Sequence, residues 1–185
     1  MGERFTASDV DAEARTAWLT VLRKFFPSSG SSVQHRAGRG VVTFPAIDIA
    51  FGRAQIAPDM PRPVLQVLSI QRGATRTECG ETCVRVEAAR NYWLQVTALT
   101  FEECEAVQDC LGFLLQGARN LFEAEGLFVT KYALPVQVRD TRYTITRRDV
   151  RVILKCDVSV VEWNYLLNET DAQVYNESGE AILVA

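Results

Sequence analysis

Histidine occurs once in the 185 residues, at His35, and lysine only three times. The scarcity of histidine narrows the chemistry. A Cys–His or Ser–His pair would have to use His35, and no Gly-x-Ser-x-Gly elbow accompanies it. Gly38-Arg39-Gly40 leads into an apolar alternating run, where a phosphate loop needs a helix. No stretch of about 18 apolar residues is present, so no membrane span is expected. Nor does the apolar core of a signal peptide follow Met1-Gly2-Glu3-Arg4, and Phe5-Thr6 makes Gly2 a poor myristoylation site.

Metal chemistry lacks its usual spacings as well. The cysteines are Cys79, Cys83, Cys104, Cys110 and Cys156, an odd number with gaps that fit no common zinc pattern. Three of them fall on the apolar phase of expected elements and read as small buried hydrophobes in a reducing compartment. Glu102, Glu103 and Glu105 crowd one helix start, where the helix dipole and the cap account for them. No oxygen-rich calcium loop is present. The expectation is a protein without catalytic residues, cofactor or metal.

What the chain does have is arginine and separated charge. Seventeen of its twenty basic residues are arginine, the cation suited to planar, paired contacts. The net charge of −3 argues against a general nucleic-acid binder. Six arginines lie between Arg36 and Arg76 against Asp48 and Asp59. Arg139, Arg142, Arg147, Arg148 and Arg151 form the densest basic cluster, and no basic residue follows Lys155. Beyond it come Asp157, Glu162, Glu169, Asp171, Glu177 and Glu180. Three readings of the cluster stand side by side: contact with a nucleic-acid backbone, pairing with an acidic surface of another subunit, or a solvated face. The sign separation favours the second, with Glu162, Glu169 and Asp171 of a further copy as candidate partners.

Periodicity sets the fold class. Ser8 to Phe26 reads as a helix with Ser8 as N-cap, Asp9 and Asp11 in its first turn, and one apolar stripe from Val10 to Phe25. Pro27 and a serine-glycine run end it. Val33 to Gly40 reads as a polar loop, Val41 to Phe44 and Ala46 to Phe51 as strand bent at Pro45, and Val64 to Ile70 as a strand covered on both faces. Arg72 to Thr82 is polar and turn-like. Cys83–Ala89 and Tyr92–Ala98 alternate, with Asn91 between them as a turn or bulge. Thr100 and Glu103 make a capping box, and the helix after them runs to a stop at Gly126. Its Gly112 and Gly117 either admit a close backbone or are weak points costing about 1 kcal/mol each.

Leu127 to Leu134 reads as a strand ending at Pro135. Val150 to Val160 is a strict period-two series, about 37 Å long at some 3.4 Å per residue, preceded by a break or bend at Arg147-Arg148-Asp149. The expected architecture is α+β: a mostly antiparallel sheet packed against an N-terminal helix and one long central helix. Residues 1–161 would form a single domain and 162–185 an acidic C-terminal extension with an apolar end, Ala181-Ile182-Leu183-Val184-Ala185.

From Arg15 to Val161 this layout resembles the tail-terminator (tail-completion) family of long-tailed bacteriophages. The resemblance rests on the opening helix at Trp18-Leu19-Thr20-Val21-Leu22, on Tyr92-Trp93-Leu94-Gln95-Val96 running into Thr100-Phe101-Glu102-Glu103-Cys104-Glu105-Ala106, on the strand Leu127 to Tyr132, and on the arginine-bearing link before Val150–Val160. It carries no short diagnostic motif. It implies an α+β subunit of a ring, usually of six, that sits on the last tail-tube ring and meets the head connector. Such proteins bind no cofactor and catalyse nothing. Their place is the virion neck, and the host cytoplasm during assembly. The resemblance implies no membrane and no sequence-specific nucleic acid. Two segments, Arg72–Thr82 and the residues after Glu162, exceed what the family core needs, which keeps another neck or tube-associated protein, or a small nucleic-acid-binding module, as alternatives.

Overall fold

The computed structural model describes residues 7–38, 40–79 and 83–159. It is an α+β fold with an antiparallel-rich mixed sheet packed against helices. Helix α1 spans Ala7–Phe25, beginning one residue ahead of Ser8, so Ser8 lies inside the first turn rather than before it. Its stripe is the one expected: Val10, Ala14, Ala17, Trp18, Val21, Leu22 and Phe25 are all buried. Hairpin β1 (Val33–Ala37) and β2 (Gly40–Phe44) forms a small sheet of its own. The expected loop at Val33–Gly40 is therefore mostly strand, held by pairing with β2 that the polar sequence does not advertise.

The main sheet runs β3-β4-β5-β8-β6, with β7 pairing β8 beyond the end of β6. Strand β3 is Asp48–Phe51, parallel to β4 (Val64–Cys79). Strands β5 (Cys83–Ala98) and β8 (Thr144–Ser159) lie at the centre, antiparallel and in register from Cys83↔Ser159 to Ala98↔Thr144. Strands β6 (Leu127–Tyr132) and β7 (Val136–Val138) pair with the outer side of β8.

Three sequence expectations change here. Arg72–Cys79 continues β4 instead of turning, because β5 supplies ladder partners out to Cys79↔Val84. Asn91 is no break: β5 is unbroken, and the irregularities fall on its neighbour β4, between Ser69 and Gln71 and between Arg72 and Thr75. At the second, Gly73 packs so closely over Ala89 that a Cβ would come within 2.9 Å of the Ala89 Cβ. Arg147-Arg148-Asp149 is no bend either, since β8 pairs with β5 straight through it.

Helix α2 (Phe101–Gly117) starts on the expected capping box. Glu103 N donates to Thr100 Oγ1 at 3.3 Å, and Thr100 N donates to Glu103 Oε2 at 3.1 Å. The expected single helix is two. Ala118 leaves helical geometry at φ −114°, ψ 30°, and α3 (Arg119–Ala124) sets off anew. That break seats Phe122 against Trp18, ring centroids 5.4 Å apart. Gly126 does stop the helical run, at φ +76°. Neither Gly112 nor Gly117 admits a neighbouring backbone: a Cβ at Gly112 would meet the Arg148 guanidinium, and one at Gly117 the Phe113 ring.

The three helices among the described residues cover one face of the sheet. Leu65, Val67, Val86, Ala88, Tyr92, Leu94, Val96, Val150, Val152 and Leu154 point into that core. Burying each valine or leucine among them stabilises the fold by roughly 1.5–3 kcal/mol. The long connection from β3 to β4 crosses the other face at one end of the sheet, where Gln66 Nε2 donates to Ala54 O and the Tyr143 hydroxyl to Ala57 O.

Candidate interface surfaces

Period-two alternation on β8 divides the arginine cluster between two faces. Arg148 shares its phase with Val150, Val152 and Leu154 and turns inward, 4 % exposed. Its Nε donates to Gln108 Oε1 at 3.1 Å, its Nη2 to Gln108 O at 3.0 Å, and its Nη1 to Ala133 O at 3.2 Å. Burial lowers its pKa. Arg148 is thus removed from the expected partner surface: its donors tie α2 to β8 and to the β6–β7 link.

Arg147 and Arg151 take the outward phase. The Arg147 guanidinium lies over the Trp93 ring, 3.8 Å from its centroid. This is a diagonal pair across β5 and β8, worth about 0.5–1 kcal/mol where water reaches it. Arg151 stands in a cross-strand row with Gln71, Asn91 and Lys131. Asn91 Nδ2 donates to Gln71 Oε1 at 3.1 Å. Register shifts in β4 and in β6, the latter between Val129 and Lys131, sit beside this row on both flanks. Such irregularities bend a sheet locally. A cleft of about 510 Å³ opens there, lined by Ile70, Gln71, Asn91, Lys131, Asp149 and Arg151.

Two cations directly opposite one another repel. Arg151 and Lys131 are such a pair, and neither forms an ion pair among the described residues. Asp149 in the same cleft offsets one of the two charges. Elsewhere the outer rows are neutralised in register: Arg85 pairs with Asp157 at 3.0 Å and Lys155 with Glu87 at 2.5 Å. Asp157, part of the acidic stretch in the sequence, is therefore engaged within the sheet.

Arg139 and Arg142 lie exposed between β7 and β8. Asp140 organises that turn: the backbone N–H groups of Arg142 and Tyr143 donate to its Oδ1 at 2.8 and 3.0 Å and hold its pKa below the ordinary carboxylate value. Just before it, the β6–β7 edge exposes Leu134 (82 %) and Val136 (50 %). Reasoning from the sequence missed these two. The signal that marks them is an apolar pair flanking a proline at the end of a strand. Glu162, Glu169 and Asp171, the expected acidic partners, lie outside the described residues, as does the whole C-terminal extension.

The residues weighed for chemistry find structural surroundings. His35 is on β1, its ring tilted against Phe25 with centroids 4.6 Å apart and edge-on to Phe44 at 5.2 Å. Cys104 and Cys110 are buried and donate to backbone carbonyls of Thr144 (3.2 Å) and Thr43 (3.3 Å). Burial raises both thiol pKa values, that of Cys110 to about 11 with a contribution from Asp109. The side chains of Cys79 and Cys83 lie outside the described residues. Among the described residues no group of three His, Cys, Asp or Glu side chains could hold a metal ion, and no helix is long and apolar enough to cross a membrane. No protein-family model matches the sequence, and no curated protein matches it.

Proposed function

We propose that this chain is a structural subunit of a long-tailed bacteriophage neck. In this reading it is a tail-terminator protein whose copies close into a ring, six in number as in the family it resembles, that caps the tail tube and offers a surface to the head connector. The observation that carries the reading is the open β6–β7 edge. There a strand margin that is unpaired among the described residues carries exposed Leu134 and Val136 and leads into the exposed cations Arg139 and Arg142. Natural proteins seldom leave apolar side chains beside an open edge without a partner for them.

At the opposite margin of the same sheet lies β3, four residues long. Contact between two different margins of identical subunits is heterologous, and such contacts close into rings when the rotation allows. The side chains at the β6–β7 margin suit recognition of a protein surface, with no reactive group required. Electron microscopy of the purified protein, with and without tail tubes, tests the reading together with native mass spectrometry. The expected outcome is a ring with an open centre. A chain that remains monomeric under both conditions overturns it.

A further inference from the structure

The outer face carries a regular pattern of charge where β4, β5 and β8 approach Cys79, Cys83 and Ser159. Arg76, Glu87 and Lys155 form one cross-strand row, and Glu78, Arg85 and Asp157 form the next. The signs read plus, minus, plus in the first row and minus, plus, minus in the second. Opposite charges therefore meet both across the strands and along them. Glu87–Lys155 and Arg85–Asp157 pair between strands, and Arg76 pairs with Glu78 at 2.9 Å along β4. The pattern stops at β4. Strand β3 accompanies β4 only from Val64 to Val67, and among the described residues no strand follows it on that side. The second irregularity of β4 ends at Thr75, so Thr75–Cys79 is a regular edge in step with β5. Thr75, Arg76, Thr77 and Glu78 are exposed. An open strand edge has free N–H and C=O groups and can take up a further strand.

We propose that this edge pairs with the same edge of a second copy, antiparallel about a two-fold axis through Thr77. In that register Arg76 lies opposite Glu78 of the second copy, Glu78 opposite its Arg76, and Thr77 opposite its own counterpart. Opposite charges and threonine pairs stabilise such positions, and like charges destabilise them. Centring the pair on Arg76 or on Glu78 instead would set arginine against arginine or glutamate against glutamate. With the axis at Thr77 the alternation of charge continues without a break: Lys155, Glu87 and Arg76, then Glu78, Arg85 and Asp157 of the second copy. The contact is isologous, the commonest way for identical chains to associate. It is also small, in the class of weak and transient interfaces, so a Kd on the order of 100 μM is expected. It uses no residue of the β6–β7 margin and stands whether or not the chain forms a ring.

Sedimentation equilibrium of the full-length protein, from about 5 to 500 μM in low salt, tests the pairing. Every chain carries Val136→Asp, so that the β6–β7 margin contributes little. A monomer–dimer equilibrium is expected. Arg76→Glu and Glu78→Lys should each weaken it at least about 10-fold, since each sets two like-charge pairs at the join. An equimolar mixture of the two variants should return to within about 3-fold of the parent, because both pairs are then of opposite sign. Far-UV circular dichroism and melting temperature check that these exposed substitutions leave the fold intact. Hydrogen exchange of the unsubstituted chain needs no variant: amides within Thr75–Cys79 should slow at least about 3-fold between the two ends of that concentration range. A parent that stays monomeric at the highest concentration overturns the proposal. So does a mixture that associates no better than the separate variants. Exchange at the edge that is independent of concentration overturns it too, because no second copy would then cover Thr75–Cys79.

Discussion

Arg148 grips Gln108 at two points, donating from Nε to its side-chain oxygen at 3.1 Å and from Nη2 to its backbone carbonyl at 3.0 Å. Gln108 passes the connection on. Its Nε2 donates to Thr146 Oγ1 at 3.2 Å and to Leu94 O at 3.4 Å. One buried polar network thereby fixes a helix to two strands, and the low dielectric around it strengthens each of these bonds.

Truncating Arg148 should therefore cost more than truncating its surface neighbours. In Arg148→Met the oxygens of Gln108 and Ala133 are left without their donor, at about 1–3 kcal/mol for each buried group left unsatisfied. A total loss of about 2–4 kcal/mol in urea unfolding is expected. Arg151→Met should change stability by less than about 0.5 kcal/mol. Equal effects would mean that the inward network is not made.

Asp11 on α1 is the second electrostatic clasp. It accepts from Arg72 at 2.5 Å and from Arg90 at 3.4 Å, and Arg90 is only 2 % exposed. Asp11→Asn leaves a buried guanidinium without its counter-charge, a change that costs about 3 kcal/mol or more when the pair is fully buried. Because Asp11 is partly exposed, a loss of about 1–3 kcal/mol is expected in denaturant titration. Arg72→Gln alone should cost less than about 1 kcal/mol.

Gly126 is required by both its backbone and its neighbour. Its φ is +76°, and a Cβ there would run into the carbonyl oxygen of Lys155, whose own N–H donates to Gly126 O at 2.8 Å. Gly126→Ala should lower stability by more than about 1–2 kcal/mol, the cost of αL strain plus the clash. A thermal melt unchanged within about 2 °C would contradict this.

The buried thiols set an alkaline limit. The Cys110 pKa rises from 9.0 to about 11. A folded pKa above the unfolded one stabilises the fold fully below pH 9, and that contribution disappears as pH climbs through 11. At about pH 8 a charged thiol reagent should modify Cys110 at least about 100-fold more slowly in the native protein than in urea, because burial of the sulfur adds to the smaller thiolate fraction. Mass mapping of the modified cysteine provides the check.

Assembly should respond to the sheet margin. Val136→Asp places a charge on an already exposed side chain, so the isolated subunit should lose less than about 1 kcal/mol. Ring formation should weaken at least about 10-fold by native mass spectrometry, as expected when a charge replaces an apolar anchor in an interface. Charge reversal at Arg139 and Arg142 should weaken it further, and the difference should shrink as salt rises.

Local rules made much of this fold legible in the sequence. The capping box of Thr100 and Glu103 needs only residues three apart, and the α1 stripe needs only a 3.6-residue period. Both are written in short stretches, and both are found. The same alternation that revealed β8 also placed Arg148 in phase with Val150 and Val152, so its inward turn was readable though it was grouped with its surface neighbours. Other features had no local signature. Strand β1 and the outer half of β4 are polar; they are strands because β2 and β5 offer them hydrogen-bond partners. The helix break at Ala118 depends on seating Phe122 against Trp18.

The sequence by itself determined the fold class, the capping box of α2, the phase of β5 and β8 and the separation of charge along the chain, because these follow from neighbours within a few residues. Only the tertiary structure decided what each charge does. Cross-strand register, a property of two distant segments, put Arg148 in the core, balanced Arg85 with Asp157, and left Arg151 facing Lys131 without an ion-pair partner among the described residues.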